Sequence, residues 1–127
     1  MKPAPRSLAL AAFALALAGA ASGAQAADCF RTGQIRSHTI ADNSTALINV
    51  DGRAIYRIGT SNACFAGATS SDPLIMRNPP GSTIVCKPID MDLGVKVSGG
   101  PSNRCIVSSI TKLTPDEVAA LPKKLKP

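Results

Sequence analysis

The chain has 127 residues, of which 45% are hydrophobic and only 3% aromatic, and its formal net charge at pH 7 is +6. This length accommodates one domain and excludes a multidomain protein. Because the chain has no tryptophan and only one tyrosine, its interior must consist of small branched side chains, and a small domain of this kind needs covalent reinforcement.

Residues 1–26 are predicted to be a secretory signal peptide. Lys2 and Arg6 form a basic start, and an uncharged run follows from Ser7 to Ala21. This run is about 15 residues long, whereas a membrane-spanning helix needs about 20. The segment therefore fits a cleaved leader. Its removal takes these two positive charges away and lowers the net charge from +6 to +4.

The end of the leader has the small residues that signal peptidase accepts. Ala24-Gln25-Ala26 places them on either side of a variable position, so we expect cleavage after Ala26, with Ala27 as the alternative. Asp28 directly precedes Cys29, which argues against lipid attachment at this cysteine. The mature chain is expected to be a soluble bacterial protein, either periplasmic or secreted.

Four cysteines remain in the mature chain: Cys29, Cys64, Cys86 and Cys105. An even number of cysteines in an exported domain predicts disulfides. A tetrahedral zinc site is the alternative, but no close Cys-x-x-Cys pair is present. Spacing permits three connectivities. We prefer Cys29 with Cys64 and Cys86 with Cys105, because each bridge would close one contiguous strand-turn-strand segment.

The first predicted elements are an edge strand and a hairpin. The edge strand is expected at residues 32–40, followed by a turn at Asp42-Asn43-Ser44. Asp51-Gly52 then separates two strand-like runs, at residues 45–50 and 53–58. This dipeptide suits a two-residue type I′ turn, because both central positions of that turn need positive φ.

The length of this turn determines which side chains share a face. With two residues in the turn, Leu47 faces Tyr56, and the inward side comprises Leu47, Tyr56 and Ile58. Arg53 and Arg57 then point outward, where their aliphatic stems lie on neighbouring side chains.

Shorter strands are expected further along the chain, between segments rich in Gly, Pro, Ser and Asn. They are predicted at residues 74–77, 82–87, 93–97 and 104–111, with a strong turn signal at 78–81. Short strands at this spacing indicate a mainly β fold. We expect a small antiparallel meander, or a curled sheet or partly open barrel, in a single domain over residues 27–121.

A short helix is predicted near the C-terminus. Thr114, Pro115 and Glu117 occupy the N-cap, N1 and N3 positions of a capping box. The helix should therefore run from Pro115 to about Leu121. Residues 122–127 form a basic tail that we expect to be disordered.

No catalytic, metal or cofactor site stands out in the sequence. His38 is the only histidine, and Asp42 lies four residues after it. The sequence has no Gly-x-Ser-x-Gly turn, which would mark a serine nucleophile for these two residues to activate. Asp90 and Asp92 could share a divalent cation, but no further ligands follow at calcium-loop spacing. We therefore predict that the protein is not an enzyme and holds no cofactor or metal.

The excess of positive charge is the remaining functional signal. The possible binding residues are the hairpin arginines and the tail lysines: Arg53, Arg57, Lys123, Lys124 and Lys126. Such cations attract anionic envelope components, for example lipopolysaccharide, phospholipid or acidic glycans, although they also serve solubility. Nucleic acid is disfavoured as a partner, because no aromatic residues are interleaved with the basic ones.

The motifs together resemble a family of short secreted bacterial proteins known as a domain of unknown function. The matching features are Cys29-Phe-Arg-Thr-x-x-Ile-Arg-Ser37, Asp42, the Thr45 to Ile58 hairpin with Tyr56, Cys64, Cys86, Cys105 and the Thr-x-x-Glu helix start. The chain departs from the family at Phe65-Ala66-Gly67, where members often carry Pro-Gly-Leu. The resemblance implies a secreted four-cysteine β domain and brings no known activity.

Three functional classes follow from these features. The leading interpretation is a non-enzymatic exported protein that binds an anionic envelope component or another exported protein. The alternative is a small periplasmic inhibitor of an envelope-lytic enzyme, acting through one rigid loop such as Ser98 to Asn103. The weakest interpretation is a small hydrolase that uses His38.

Overall fold

The computed structural model describes residues 28–79 and 83–127, so the predicted leader at 1–26 and part of the predicted turn at 78–81 lie outside the described residues. The strands are β1 (Phe30–Arg31), β2 (Ile35–Asp42), β3 (Thr45–Val50), β4 (Ala54–Thr60), β5 (Leu74–Met76), β6 (Ile84–Val85), β7 (Leu93–Lys96), β8 (Ser102–Cys105) and β9 (Val107–Lys112). One α-helix, α1 (Pro115–Ala120), and 3₁₀ turns at Thr32–Gln34, Pro88–Asp90 and Lys123–Leu125 accompany them. Strands make up 43% and helices 15% of the described residues, so the fold is mainly β, as predicted.

The strands form three open antiparallel sheets. The large sheet has the order β2-β3-β4-β9, the small sheet has the order β5-β7-β8, and β1 pairs with β6. The strand predicted at 104–111 is instead two strands in different sheets. Cys105 pairs with Leu93 in the small sheet, whereas Val107 pairs with Thr60 in the large sheet, so the chain changes sheets at Ile106.

The hairpin between β3 and β4 turns where the sequence predicts it. Asp51 and Gly52 have φ angles of 53° and 70°, which is the positive pair that a type I′ turn requires. The amide of Arg53 donates to the carbonyl of Val50 at 3.1 Å. Arg53 is nevertheless an additional loop residue, because the strand register pairs Val50 with Ala54.

This additional residue corrects the predicted facing of the hairpin. Leu47 pairs with Arg57 instead of Tyr56, and Tyr56 pairs with Ile48. Since a one-residue shift moves a strand's side chains to the other face, the expectation that Leu47 faces the core with Tyr56 and Ile58 is wrong. Leu47 is still buried, on the outer face of the large sheet.

The core lies between the inner face of the large sheet and the two smaller sheets. Its buried residues are Phe30, Ala46, Ile48, Val50, Tyr56, Ile58, Cys64, Phe65, Val85, Met91, Leu93, Val95 and Cys105. Phe30 and Tyr56 are in contact, with ring centroids 4.8 Å apart. Most of the other members are aliphatic, and burial of each such side chain contributes about 1.5–3 kcal/mol.

The outer face of the large sheet carries the C-terminal segment. The amide of Leu113 donates to the carbonyl of Ile55 at 2.8 Å, which continues the pairing of β9 with β4. Helix α1 then begins with the predicted capping box. The Glu117 amide donates to the Thr114 hydroxyl at 3.2 Å, and the Thr114 amide donates to the Glu117 carboxylate at 2.7 Å.

The tail after α1 differs from the expected disorder. Residues Lys123–Leu125 form a 3₁₀ turn that contacts β2, and the Leu125 side chain is half-buried. Leu125 is the apolar residue of this otherwise basic turn. None of the helices in the described part of the chain has the length and hydropathy needed to span a bilayer.

The four cysteines form two disulfides, as predicted, but the preferred pairs Cys29–Cys64 and Cys86–Cys105 are wrong. Cys29 bonds to Cys86, and Cys64 bonds to Cys105. The cause is strand pairing between distant segments. Cys29 and Cys86 directly adjoin the paired strands β1 and β6, while Cys64 follows β4 and Cys105 precedes β9, which pairs with β4.

We predict that the two bridges reduce in sequence. Cys29 and Cys86 are exposed, whereas Cys64 and Cys105 are only 3% and 5% exposed. Low concentrations of dithiothreitol should therefore open the exposed bridge first, since access limits thiol exchange. The paired cysteines are 57 and 41 residues apart, so each bridge is expected to add about 4 kcal/mol to the free energy of unfolding.

Alkylation at increasing reductant concentration, followed by peptide mass mapping, measures the order of reduction. Simultaneous loss of both bridges, or a peptide that links Cys29 to Cys64, would contradict this prediction.

Candidate functional site

The small sheet presents a cationic surface to solvent. Because side chains alternate along β7, Gly94 and Lys96 lie on the side away from the core. The register places Arg104 directly opposite Gly94, and Arg77 follows β5 at the same end of the sheet. We name the surface formed by Gly94, Lys96, Arg104, Arg77 and Asp92 the outer cationic face.

Gly94 allows the Arg77 side chain to lie across the middle of this face. A Cβ atom built on Gly94 would be 3.4 Å from Nε and 3.5 Å from Nη2 of Arg77, and 2.8 Å from the Asn103 carbonyl oxygen. A Cβ atom would therefore clash with the Asn103 carbonyl, and a side chain longer than alanine would occupy the space that the guanidinium fills. Because Gly94 has no side chain, the Arg77 guanidinium lies over β7 at the position that is directly opposite Arg104.

Asp92 is the acidic member of the outer cationic face. Its carboxylate lies 3.3 Å from the Arg104 guanidinium, and the two side chains are 34% and 68% exposed. A pair this exposed contributes little to stability. Lys96 donates instead to the carbonyl of Gly100 at 2.8 Å. Three cations and one carboxylate leave the face positive.

The residues predicted to bind lie on the opposite side of the core. Arg57 is on the outer face of the large sheet, Arg53 lines a groove beside α1, and the turn with Lys123 and Lys124 contacts β2. These residues and Lys126 are all exposed. The structure therefore places the five predicted residues on one side and the outer cationic face on the other.

Sequence reasoning missed the outer cationic face because its cations are dispersed along the chain. Arg77, Lys96 and Arg104 come together only through the pairing of β5, β7 and β8. One local signal was present. Gly94 lies inside the strand β7 between Leu93 and Val95, and a glycine inside a strand is typical of a place where another group approaches closely.

His38 has a structural partner. Its Nε2 atom lies 2.8 Å from the backbone carbonyl oxygen of Asp72, and since a carbonyl only accepts, this nitrogen carries the proton. The Asp42 carboxylate accepts from the Ser44 amide at 2.8 Å. Both side chains thus connect backbone segments, His38 at the edge strand and Asp42 at the turn between β2 and β3.

The two carboxylates that could share a cation have separate partners. Asp90 accepts from the amides of Cys86 and Lys87 at 3.0 and 2.9 Å, and these hydrogen bonds lower the pKa of Asp90. Asp92 pairs with Arg104. Within residues 28–79 and 83–127, no three His, Cys, Asp or Glu side chains group together as metal ligands.

A buried carboxylate holds the loop between β7 and β8. Asp72 is 1% exposed and accepts from both the amide and the hydroxyl of Ser98. It also accepts from the amide of Thr69 at 2.7 Å and from its hydroxyl at 3.1 Å. These hydrogen bonds, led by the one from the Ser98 hydroxyl, lower the pKa of Asp72 to about 2. The loop is therefore fixed at its first residue.

No family model, curated protein or solved structure matches this chain. The resemblance to the four-cysteine secreted family stays a prediction, and function has to be argued from the surface itself.

We predict that Asp72 makes the fold sensitive to acid. The folded-state pKa of Asp72, about 2, lies below the ordinary value of about 3.9. The ionised carboxylate therefore stabilises the fold above about pH 4, and this contribution disappears as the pH falls toward 2. Asp72→Asn should lower the urea midpoint at pH 7 and flatten the loss of stability between pH 4 and pH 2.

Urea unfolding at several pH values measures both effects, with Asp42→Asn as the matched control. Asp42 is an exposed turn residue, so its variant should keep the full acid dependence. The flattening in Asp72→Asn should be partial, because the pKa of Asp90 is also lowered. An acid profile identical to that of the unmodified protein would contradict the assignment.

Proposed function

We propose that the protein is an exported, disulfide-stabilised binding protein whose ligand is an anionic component of the cell envelope. The observation that supports this proposal is the Arg77 guanidinium, which lies across Gly94 beside Arg104 on an exposed sheet surface. Export is supported by the leader pattern at residues 1–26 and by the two disulfides, which persist in oxidising compartments.

The chemistry of the outer cationic face favours phosphate or carboxylate groups. A guanidinium is planar and presents donors in a fixed fork, which matches these anions in a bidentate way. The face is part of an open sheet, so it suits an extended or surface-bound anion better than an enclosed small molecule. Only Asp92 opposes the three cations locally.

A second candidate function, inhibition of an envelope-lytic enzyme, is favoured by the loop between β7 and β8. The predicted loop, Ser98 to Asn103, is shorter in the structure because β8 begins at Ser102. Asp72 holds Ser98 in place, and a loop fixed in this way presents a rigid tip to a partner at low entropic cost.

Two double variants test which side of the molecule binds. Arg77→Gln/Arg104→Gln removes two charges from the outer cationic face, and Lys123→Gln/Lys124→Gln removes two from the opposite side. A cation near an anionic membrane surface contributes about 1 kcal/mol, so the arginine variant should sediment with isolated bacterial envelopes at least about tenfold more weakly. The lysine variant should change by less than about twofold.

The wild-type protein should also lose most of its envelope binding at high salt, because exposed charges are screened. If the lysine variant lost more envelope binding than the arginine variant, the binding site would lie on the side that carries Arg53 and Arg57. Salt-resistant capture of one lytic enzyme would favour the inhibitor instead. Urea midpoints within experimental error of the wild type would show that all variants remain folded.

A further inference from the structure

An apolar groove adjoins the outer cationic face. The groove has a volume of about 640 Å³, and its walls include Ile89, Ile106 and Arg104. Arg104 also belongs to the outer cationic face, so the charged surface and the apolar groove are continuous.

The two isoleucines of this groove are unusually accessible. Ile89 is 90% exposed and Ile106 is 61% exposed. Single apolar side chains on a surface are ordinary, but neighbouring apolar side chains that share one groove mark an interaction site. Exposure of the two isoleucines to water is unfavourable, and a ligand that covered them would remove their apolar surface from water.

The backbone keeps both side chains in these exposed positions. Ile89 lies in the 3₁₀ turn Pro88–Asp90, which the Asp90 carboxylate ties to the amides of Cys86 and Lys87. Ile106 lies at the sheet change, where its amide donates to Asn62 at 2.8 Å and its carbonyl accepts from the Ser61 amide at 2.9 Å. The groove is therefore preformed.

Both signs of charge lie near the exposed isoleucines, with cations in excess. The carboxylates are Asp92, which lines the groove and pairs with Arg104, and Asp90, which accepts from the amides of Cys86 and Lys87. Lys87 precedes the turn of Ile89 and is exposed, Arg104 lines the groove, and Arg77 lies one strand away across Gly94. Exposed apolar side chains beside an excess of Lys and Arg suit the surface of an anionic bilayer, where cations meet headgroups and apolar groups enter the interface.

We infer that the anionic ligand of the proposed function is the surface of an anionic phospholipid bilayer. Ile89 and Ile106 enter the interfacial region, and Arg77 and Arg104 contact headgroup phosphates. This inference rests on the proposed function and specifies its ligand. An acidic polysaccharide would complement the charges but give the two isoleucines no apolar partner, and an exported protein is the other outcome of the test.

Vesicle sedimentation at low salt tests the inference with the full oxidised protein. Phosphatidylglycerol vesicles should bind the protein at least about tenfold more strongly than phosphatidylcholine vesicles. Ile89→Ser/Ile106→Ser should lose about tenfold or more in affinity for phosphatidylglycerol, since two apolar side chains no longer leave water. The matched control is Ile84→Ser, because Ile84 is 50% exposed in a different depression beside Arg31; its affinity should change by less than about twofold.

The outcomes separate this inference from the proposed function. If isolated envelopes bind through Arg77 and Arg104 while pure phosphatidylglycerol vesicles do not bind, the inference is overturned and the proposed function stands, with a glycan or protein as ligand. If neither envelopes nor vesicles bind, both are overturned. An equal loss of vesicle binding in Ile84→Ser would overturn the assignment to the groove.

Discussion

The passage of the chain from the small sheet to the large sheet at Ile106 is the constraint on which the rest of this structure depends. Residues 61–64 fix the position of the chain at this point through hydrogen bonds and a disulfide. The Asn62 side chain donates to the carbonyl of Arg104 at 2.9 Å and accepts from the amide of Ile106 at 2.8 Å. The disulfide between Cys64 and Cys105 then bonds the same segments covalently. Without this junction, the two sheets that enclose the core would lose both a covalent cross-link and the hydrogen bonds that fix the chain where it passes between them.

Such packing is limited in this molecule, because the core has few aromatic side chains. Phe30, Tyr56 and Phe65 are its aromatic members, and the remainder are mostly aliphatic residues and buried cysteines. The second disulfide supports the other end of the core, where the short strands β1 and β6 pair over two residues each. Asp72 adds a polar junction, since its backbone carbonyl binds His38 of the large sheet while its carboxylate binds Ser98 beyond β7.

The junction at Ile106 also arranges the candidate site. Arg104 lies before it, on the outer cationic face, and Ile106 projects into the apolar groove. One short stretch of chain therefore gives the surface both its charge and its apolar character. The second cationic side, with Arg57 and the C-terminal lysines, lies across the core, where Arg53 lines a groove beside α1. The two sides differ in how exposed their apolar residues are, because Ile89 and Ile106 are largely exposed whereas Ile55 and Val118 of the second groove are half-buried.

Local chemistry determined much of this protein from the sequence alone. The Asp51-Gly52 turn and the capping box at Thr114 were predictable because each depends on residues within a few positions of one another. The mainly β class and the use of all four cysteines in disulfides followed from patterning and cysteine count. Tertiary structure alone decided the cysteine partners, the one-residue register of the hairpin and the meeting of Arg77 with Arg104. The cysteine partners and the meeting of Arg77 with Arg104 depend on pairing between strands that are distant in sequence, and no local preference encodes which distant strand a segment will choose. The hairpin register depends instead on which faces of β3 and β4 pack against the core, which is also a tertiary property.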